Sequence, residues 1–307
     1  MKLLQQENIN LGIGRIAVLG TFDGVHRGHQ FLLDFLLEQA QQRGLESLVI
    51  TFAQHPLATI RPNDVPSLLL PLDERIARIE SCKVESCLVL DFNQQLQQLT
   101  AREFLEMIGR DYGVKVLIIG FNTQFGKDRL KGLDQYRKIG EEVGIEILQA
   151  PEYGKGVCSS AVRRHLLNGN ITEANEALGY RFALCGKVVK GKQLGRTIGF
   201  PTANIETFDA KMLIPGNGVY VVDVVIPHLN DARYRGILNI GCRPTVDNLN
   251  APISIEVNIL DFEGDLYDTT LKVEFINFLR EERRFNSIEE LTTQLHHDRQ
   301  KAISINY

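Results

Sequence analysis

The chain has 307 residues, 44% of them hydrophobic, and its 34 Lys and Arg set against 38 Asp and Glu leave a formal net charge of -4. That length exceeds what a single core usually sustains, so two domains are expected. The balanced charge offers no field to hold a nucleic-acid backbone, and no apolar run reaches the ~18 residues of a membrane span, so neither kind of partner is expected. The five cysteines, Cys82, Cys87, Cys158, Cys185 and Cys242, are scattered without a CxxC pair. They read as reduced thiols. The opening MKLLQQENINLGIG lacks the charged and apolar regions of an export signal, so a cytoplasmic location is expected.

Along the first half, short apolar runs alternate with amphipathic segments. RIAVLGTF at 15–22 reads as a strand, and HQFLLDFLLEQAQQRG at 29–44 as a helix closed by Gly44. SLVITFA follows as a strand, then CLVLDF at 87–92, a helix over 101–113, and strands at 114–120 and 145–150. The glutamine-rich stretch at 91–100 reads as a solvated helix start. The alternation predicts an α/β domain, a parallel sheet covered by helices on both faces. A helix-like SAVRRHLLNGNITEANEALG then leads to a boundary near Gly179 to Phe182, giving domains 1–180 and 181–307. Beyond it, ALCGKVVKG, GVYVVDVVIP, YRGILNIG and ISIEVNILDF are β-rich runs parted by Gly, Pro, Asn and Asp, which predicts an antiparallel barrel or sandwich. Ser287 followed by Glu290 has capping-box spacing ahead of a terminal helix.

Two segments carry chemistry. In TFDGVHRGH, residues 21–29, a strand feeds a turn that opens a helix, so His26 and His29 approach a helix N-terminus, where amide groups favour an anion. Gly20, Gly24 and Gly28 keep this stretch free of bulk, and either imidazole could donate to a phosphate. The HxxH spacing also suits zinc, although no third ligand is evident nearby, and a structural turn with buried histidines is a further reading. In GKVVKGKQLGRTIGFPTANI, residues 186–205, Gly186, Gly191, Gly195 and Gly199 precede Thr202 and Asn204, whose oxygens suit a hard cation such as magnesium beside ATP phosphates. The pattern lacks the GKS or GKT ending of a Walker loop.

The first segment resembles the HxGH signature of α/β nucleotidyltransferases. TFAQHP at 51–56, GFNTQFG at 120–126 and VCSSAVR at 157–163 resemble later motifs of bacterial flavin adenylyltransferases, over roughly the first 180 residues. The second segment resembles the PTAN motif of riboflavin kinases, followed in order by NGVYVV, NIGCRPT, EVNILDFEGDLY and FLREERRF. Together they resemble the bifunctional riboflavin kinase/FAD synthetases over almost the whole chain. The resemblance implies a nucleotidyltransferase-type domain making FAD and pyrophosphate from FMN and ATP, and a barrel domain making FMN from riboflavin and ATP, both with magnesium. It places the kinase base at Glu282, beside Glu281, and Mg-ATP on Thr202 and Asn204 within the glycine segment. ATP phosphates fall to His26, His29, Gly20, Phe22, Gly24, Gly28, Ser159, Ser160 and Arg163. Flavin contacts fall to Asn122, Phe125, Arg280 and Phe285.

Departures cluster in the first half. Asn122 and Thr123 stand where the family shows Asp and Phe, Cys158 and Ser160 replace Ser and Thr, and Gln54 replaces Pro. In the second half the chief departure is Cys242 for Thr. The alternative is therefore a riboflavin kinase whose first domain binds nucleotide or flavin with little adenylyl transfer. Segments 127–134 and 206–216 read as loops over the two sites.

Overall fold

The structure, a computed structural model, describes residues 1–4, 9–120, 123–154, 156–191, 194–242 and 253–305. The chain forms two compact units, Met1–Cys158 and Ser159–Tyr307.

The first unit is built on six parallel strands: β1 (Lys2–Leu4), β2 (Arg15–Leu19), β3 (Glu46–Phe52), β4 (Ser86–Leu90), β5 (Val114–Ile119) and β6 (Glu146–Gln149). They lie in the order β1-β4-β3-β2-β5-β6, every pair parallel. Helices α1 (Arg27–Arg43), α2 (Leu57–Ile60), α3 (Leu72–Ser81), α4 (Gln94–Gln97), α5 (Ala101–Tyr112) and α6 (Leu133–Val143) connect them. The expected α/β architecture is therefore present. All five residues of β2 are buried, as a strand covered on both faces requires. The chain runs from β2 outward through β3 and β4, then returns to β5 on the other side of β2. This reversal opens a crevice at the carboxyl end of β2. Helix α1 starts at Arg27 rather than His29, because His26 takes the N-cap position, and it ends at Gly44 in the left-handed region, φ 64°. Strand β1 and helix α3 escaped the sequence reading; β1 is too short to show a period.

The second unit starts with α7 (Ser159–Leu167) and α8 (Ile171–Leu178), which belong with the barrel. The reason is polar: Asn175 donates to Phe275 O (2.9 Å) and accepts from Phe182 N–H (2.8 Å), while Gly216 N–H reaches Leu166 O (3.1 Å). Compactness thus divides the chain ahead of the boundary that composition suggested at Gly179 to Phe182.

Strands β7 (Ala183–Val189), β8 (Ala203–Thr207), β9 (Gly218–Ile226), β10 (Ala232–Cys242), β11 (Ile253–Ile259) and β12 (Thr270–Arg280) close an antiparallel barrel in the order β10-β11-β8-β7-β12-β9. The barrel, not the sandwich, is the outcome. A short helix α9 (Leu194–Thr197) lies between β7 and β8, and α10 (Ile288–Ser304) ends the fold. Ser287 caps α10 as expected, accepting Glu290 N–H at 3.2 Å, while the Glu290 carboxylate takes Asn286 N–H at 3.0 Å. Alternate residues of β9 serve two cores. Tyr220 faces Phe275 and Phe278 edge-on, whereas Val219 and Val221 pack outward with Ile237, Leu260 and Ala302 of α10.

Gly186 sits inside β7, opposite Thr207 and Leu271. A Cβ there would lie 2.6 Å from Ile205 Cγ2 and run into Glu206 O. Gly186→Ala is therefore expected to destabilise the barrel by about 1–3 kcal/mol, seen as a lowered unfolding midpoint in urea. An unchanged midpoint would show that β8 can move aside.

Candidate active sites

In the first unit the site grows from the end of β2. Gly20 extends the sheet by donating to Ile50 O (3.1 Å). Phe22 and Val25 then take positive φ, 50° and 34°, with Gly24 at 80° between them. For a β-branched valine this conformation is strained and needs outside support. Val25 N–H donates to Phe22 O (3.0 Å), and Gln30 Nε2 donates to Val25 O (2.8 Å). The turn delivers His26 to the N-cap of α1, where its Nδ1 accepts His29 N–H at 3.3 Å. That bond assigns the proton of a neutral His26 to Nε2, which becomes a donor.

The His26 and His29 rings stack, with centroids 3.7 Å apart and planes 15° from parallel, and Phe22 leans on His29 at 5.1 Å. Gly28 accommodates the stack; a Cβ there would stand 3.2 Å from His26 Nδ1. Burial, and secondarily the neighbouring charge of His26, push the His29 pKa well below its ordinary 6.5. His29 is therefore neutral at pH 7, and it stands beside the N-terminus of α1, where backbone amides favour an anion. Nearly parallel rings do not aim two lone pairs at one ion, which disfavours the zinc reading. Among the described residues no group of three His, Cys, Asp or Glu could hold a metal.

In the second unit, strand register builds the site. Directly opposed residues share a face of the sheet, and the pairing runs Asn204 to Glu256, Glu256 to Asn239, Asn239 to Val219 and Val219 to Arg280. Val219 faces α10, so this row lies on the outer wall of the barrel. Between that wall and α10 is a cavity of about 280 Å³. Its polar rim holds Thr202, Asn239, Glu256, Asn258, Arg280 and Glu282, and its apolar part includes Ile198, Phe200, Phe285, Leu291 and Leu295. Thr202 Oγ1 lies 3.5 Å from Glu256 Oε2, and Asn239 Nδ2 donates to Glu282 Oε1 at 3.0 Å. Asn204 is buried beside Gly191, where a Cβ would lie 2.6 Å from Asn204 Cγ.

Known proteins share this arrangement. The FAD synthetase family model matches residues 11–161 and the riboflavin kinase family model matches residues 178–306. The bifunctional riboflavin kinase/FMN adenylyltransferase of Escherichia coli K12 is 36% identical over 289 residues, 93% of this chain and 90% of its own. Those of Pseudomonas fluorescens and Bacillus subtilis are 38% and 34% identical over 289 and 294 residues, 93% and 94% of this chain and 91% of each relative. This chain belongs to the bifunctional riboflavin kinase/FMN adenylyltransferase family. A solved structure from Streptococcus pneumoniae, described as a macrolide-efflux protein, covers 100% of both chains at a TM-score of 0.88 and 31% identity. Among the described residues here, no helix is long and apolar enough to cross a membrane.

The family matches put the histidine turn in the FAD synthetase part and the cavity in the riboflavin kinase part. Not every candidate joins these sites. Gly186 is a packing residue of β7. Gly195 lines the cavity and Gly199 holds a turn at φ 79°. Ser159, Ser160 and Arg163 stand near the start of α7, in the second unit. Phe125 packs on Phe104 and Tyr136 at 5.3 and 4.5 Å, filling the core of the first unit. Asn122 lies outside the described residues. Arg280 lines the cavity, but its guanidinium is spent on Asp298, with Nε–Oδ2 3.0 Å and Nη2–Oδ2 2.8 Å. Phe285 lies 5.9 Å from Arg280 and 4.7 Å from Arg283, ring centroid to guanidinium carbon.

Sequence reading missed Glu256, although EVNILDFEGDLY contains it, because its nearness to Thr202 depends on strand pairing. It also missed the buried Asp23 and Arg75 beneath the histidine turn.

Removing the like charge next to His29 should raise its pKa. His26→Gln is therefore expected to move the His29 titration, followed by imidazole NMR, up toward 6.5 without reaching it, since burial persists. An unmoved midpoint would mean that burial alone depresses it.

Proposed function

We propose that the barrel cavity phosphorylates riboflavin and that the histidine turn transfers AMP to FMN, making this chain an enzyme of two successive ATP-dependent steps. The observation that supports the kinase half best is Glu256 on one strand row with Asn204 and beside Thr202, with Thr202 and Glu256 lining a largely apolar cavity. The apolar part accepts the isoalloxazine ring, while the polar rim meets the ribityl chain and phosphates.

Thr202 and Asn204 offer side-chain oxygens suited to a hard divalent ion such as magnesium, whose coordination would be completed by ATP phosphates. When bound, that ion neutralises phosphate charge. The protein's own work is then orientation and proton transfer. The riboflavin 5'-hydroxyl oxygen attacks the γ-phosphorus, the bond to the β-bridging oxygen breaks, and a carboxylate takes the hydroxyl proton. Two carboxylates face the cavity. Glu282, the base implied by resemblance, belongs to the exposed 281–287 segment and is held by Asn239. Glu256 stands with the phosphate-side donors, and we assign the base to it.

At the histidine turn, a phosphate oxygen of FMN attacks the α-phosphorus of a second ATP and pyrophosphate leaves. No covalent intermediate is needed. His26 and His29 donate N–H groups to phosphoryl oxygens, and the α1 N-terminus adds partial positive charge, which stabilises charge developing in the transition state. Ser159 and Ser160 fall within the FAD synthetase match, which supports a phosphate role for them.

Incubation with riboflavin, ATP and magnesium, with flavins separated by chromatography over time, is expected to show FMN and then FAD. FMN that accumulates without FAD would confine activity to the barrel. His29→Ala should cut FAD formation by about 10²–10³-fold, the scale of losing one oxyanion donor, and leave FMN formation unchanged. Equal loss of both would refute separate sites.

Glu256→Gln is expected to lower the kinase kcat by about 10²–10⁴-fold with little change in riboflavin binding. Glu282→Gln should lower it by less than about tenfold. The reverse ranking would return the base to Glu282.

A further inference from the structure

The strained turn that carries His26 and His29 is braced by side chains and backbone from outside it. Beneath it lie two buried charged side chains from different parts of the unit, Asp23 at 2% and Arg75 at 5% relative exposure. The Asp23 carboxylate accepts the backbone N–H groups of Leu69 (3.0 Å) and Leu70 (3.2 Å). Those residues precede α3, and Pro71 is its N-cap. Arg75, on the first turn of α3, reaches back with Nη1 to Thr21 O and Nη2 to Phe52 O, both at 2.7 Å. Thr51 Oγ1 also donates to Thr21 O at 3.2 Å. The entry to the turn is therefore tied to α3 from both directions, by a residue of the turn onto the helix approach and by a residue of the helix onto the strand ends.

As a device for stability alone this is a poor choice. Arg75 Nε is buried with no hydrogen-bond partner, and an ion buried with incomplete pairing is commonly matched or bettered by an apolar side chain of similar volume. What an apolar residue could not do is hold two parallel strands' carbonyls at a fixed spacing. Thr21 follows β2 and Phe52 ends β3, so the guanidinium sets how far apart these strands finish. One residue after Thr21 comes Phe22, with φ of 50°, and the ring of Phe22 rests on His29. A shift at Thr21 O is thereby transmitted to the stacked imidazoles.

We propose that Arg75 and Asp23 are positioning residues for adenylyl transfer, locking the β2–α1 turn to α3 so that His26 and His29 are set before ATP arrives. Neither touches the reacting atoms. The inference rests on the assignment of adenylyl transfer to the histidine turn.

The test uses the full chain carrying Arg75→Lys, which keeps the charge but has no planar fork to bridge two carbonyls, with Asp23→Asn and His29→Ala in parallel. Each is assayed for FAD formation from FMN and ATP and for FMN formation from riboflavin, and circular dichroism with urea unfolding verifies that the first unit is folded. Arg75→Lys is expected to lower kcat for FAD formation by about 10²-fold, the scale of an ångström-sized misplacement, with KM for ATP changed far less and FMN formation intact. The His29 resonances in its NMR titration should also shift or broaden. Asp23→Asn, which retains one acceptor oxygen, should behave likewise but more mildly. If His29→Ala abolishes FAD formation and folded Arg75→Lys and Asp23→Asn match the parent, the positioning role is wrong. If His29→Ala itself leaves FAD formation intact, the site assignment is what fails. Should Arg75→Lys not fold, folded Asp23→Asn decides alone, with undiminished kcat and unmoved His29 resonances counting against the proposal.

Discussion

Strands that end inside a protein leave carbonyl and amide groups that must find partners, at a cost of about 1–3 kcal/mol for each one that does not. Much of the polar architecture in both units answers that demand. In the first unit, Thr21 O and Phe52 O share Arg75. In the second, Pro201 O takes Asn258 Nδ2 (2.7 Å), Gly241 O takes Ser254 Oγ (3.2 Å) and Glu281 O takes Arg280 Nη1 (3.1 Å). Side chains recruited for this purpose sit where regular structure stops, which is also where a ligand can approach. The same residues therefore serve folding first and chemistry second.

The two proposed sites would meet phosphate by different physical means. A parallel sheet points its switch-point strand at a helix N-terminus, and this unit sets amide dipoles beside His29, an imidazole kept neutral chiefly by burial. An antiparallel barrel has no such helix end, and its short α9 does not replace one. Its means would be a row of oxygen-bearing side chains across adjacent strands, with a cation to offset phosphate charge. In the row Asn204–Glu256–Asn239, a one-residue slip of β11 would turn Glu256 to the opposite face.

What was legible in the sequence was local. Two segments with distinctive small and polar residues located the histidine turn and the PTAN strand, and alternation of apolar runs gave the parallel sheet. Glycine was read too uniformly: Gly24 serves the turn's backbone, whereas Gly186 merely lets β8 approach β7. What stayed hidden depends on contact between distant stretches. Glu256 meets Thr202 across β11 and β8, 54 residues apart, and Arg75 meets Thr21 at the same separation. An isolated arginine in a short helix has no spacing signal to mark it. Arg280 illustrates the converse: the motif singled it out and it does line the barrel cavity, but the use of its guanidinium was not legible, because Asp298 lies on a different element.

That use of Arg280 bears on how the cavity between the barrel and α10 keeps its shape. Leu291 and Leu295 supply its α10 wall, yet apolar contact is non-directional and would tolerate a helix that slides or rotates. Two polar anchors remove that freedom. Past the middle of α10, Asp298, itself 1% exposed, holds Arg280 and accepts Gln294 Nε2 at 2.6 Å. At the far end, Arg235 Nη1 donates to Ala302 O (3.3 Å) and Ile305 O (3.1 Å) while its Nε lies 3.0 Å from the buried Asp223. Carbonyls at a helix C-terminus are the natural target for such a cation. Buried ion pairs of this kind are weak evidence for stability, but they set register. With the C-terminal half of α10 tied at Asp298 and at its last carbonyls, the apolar wall of Leu291 and Leu295 is held in one register against the strand row that carries Glu256.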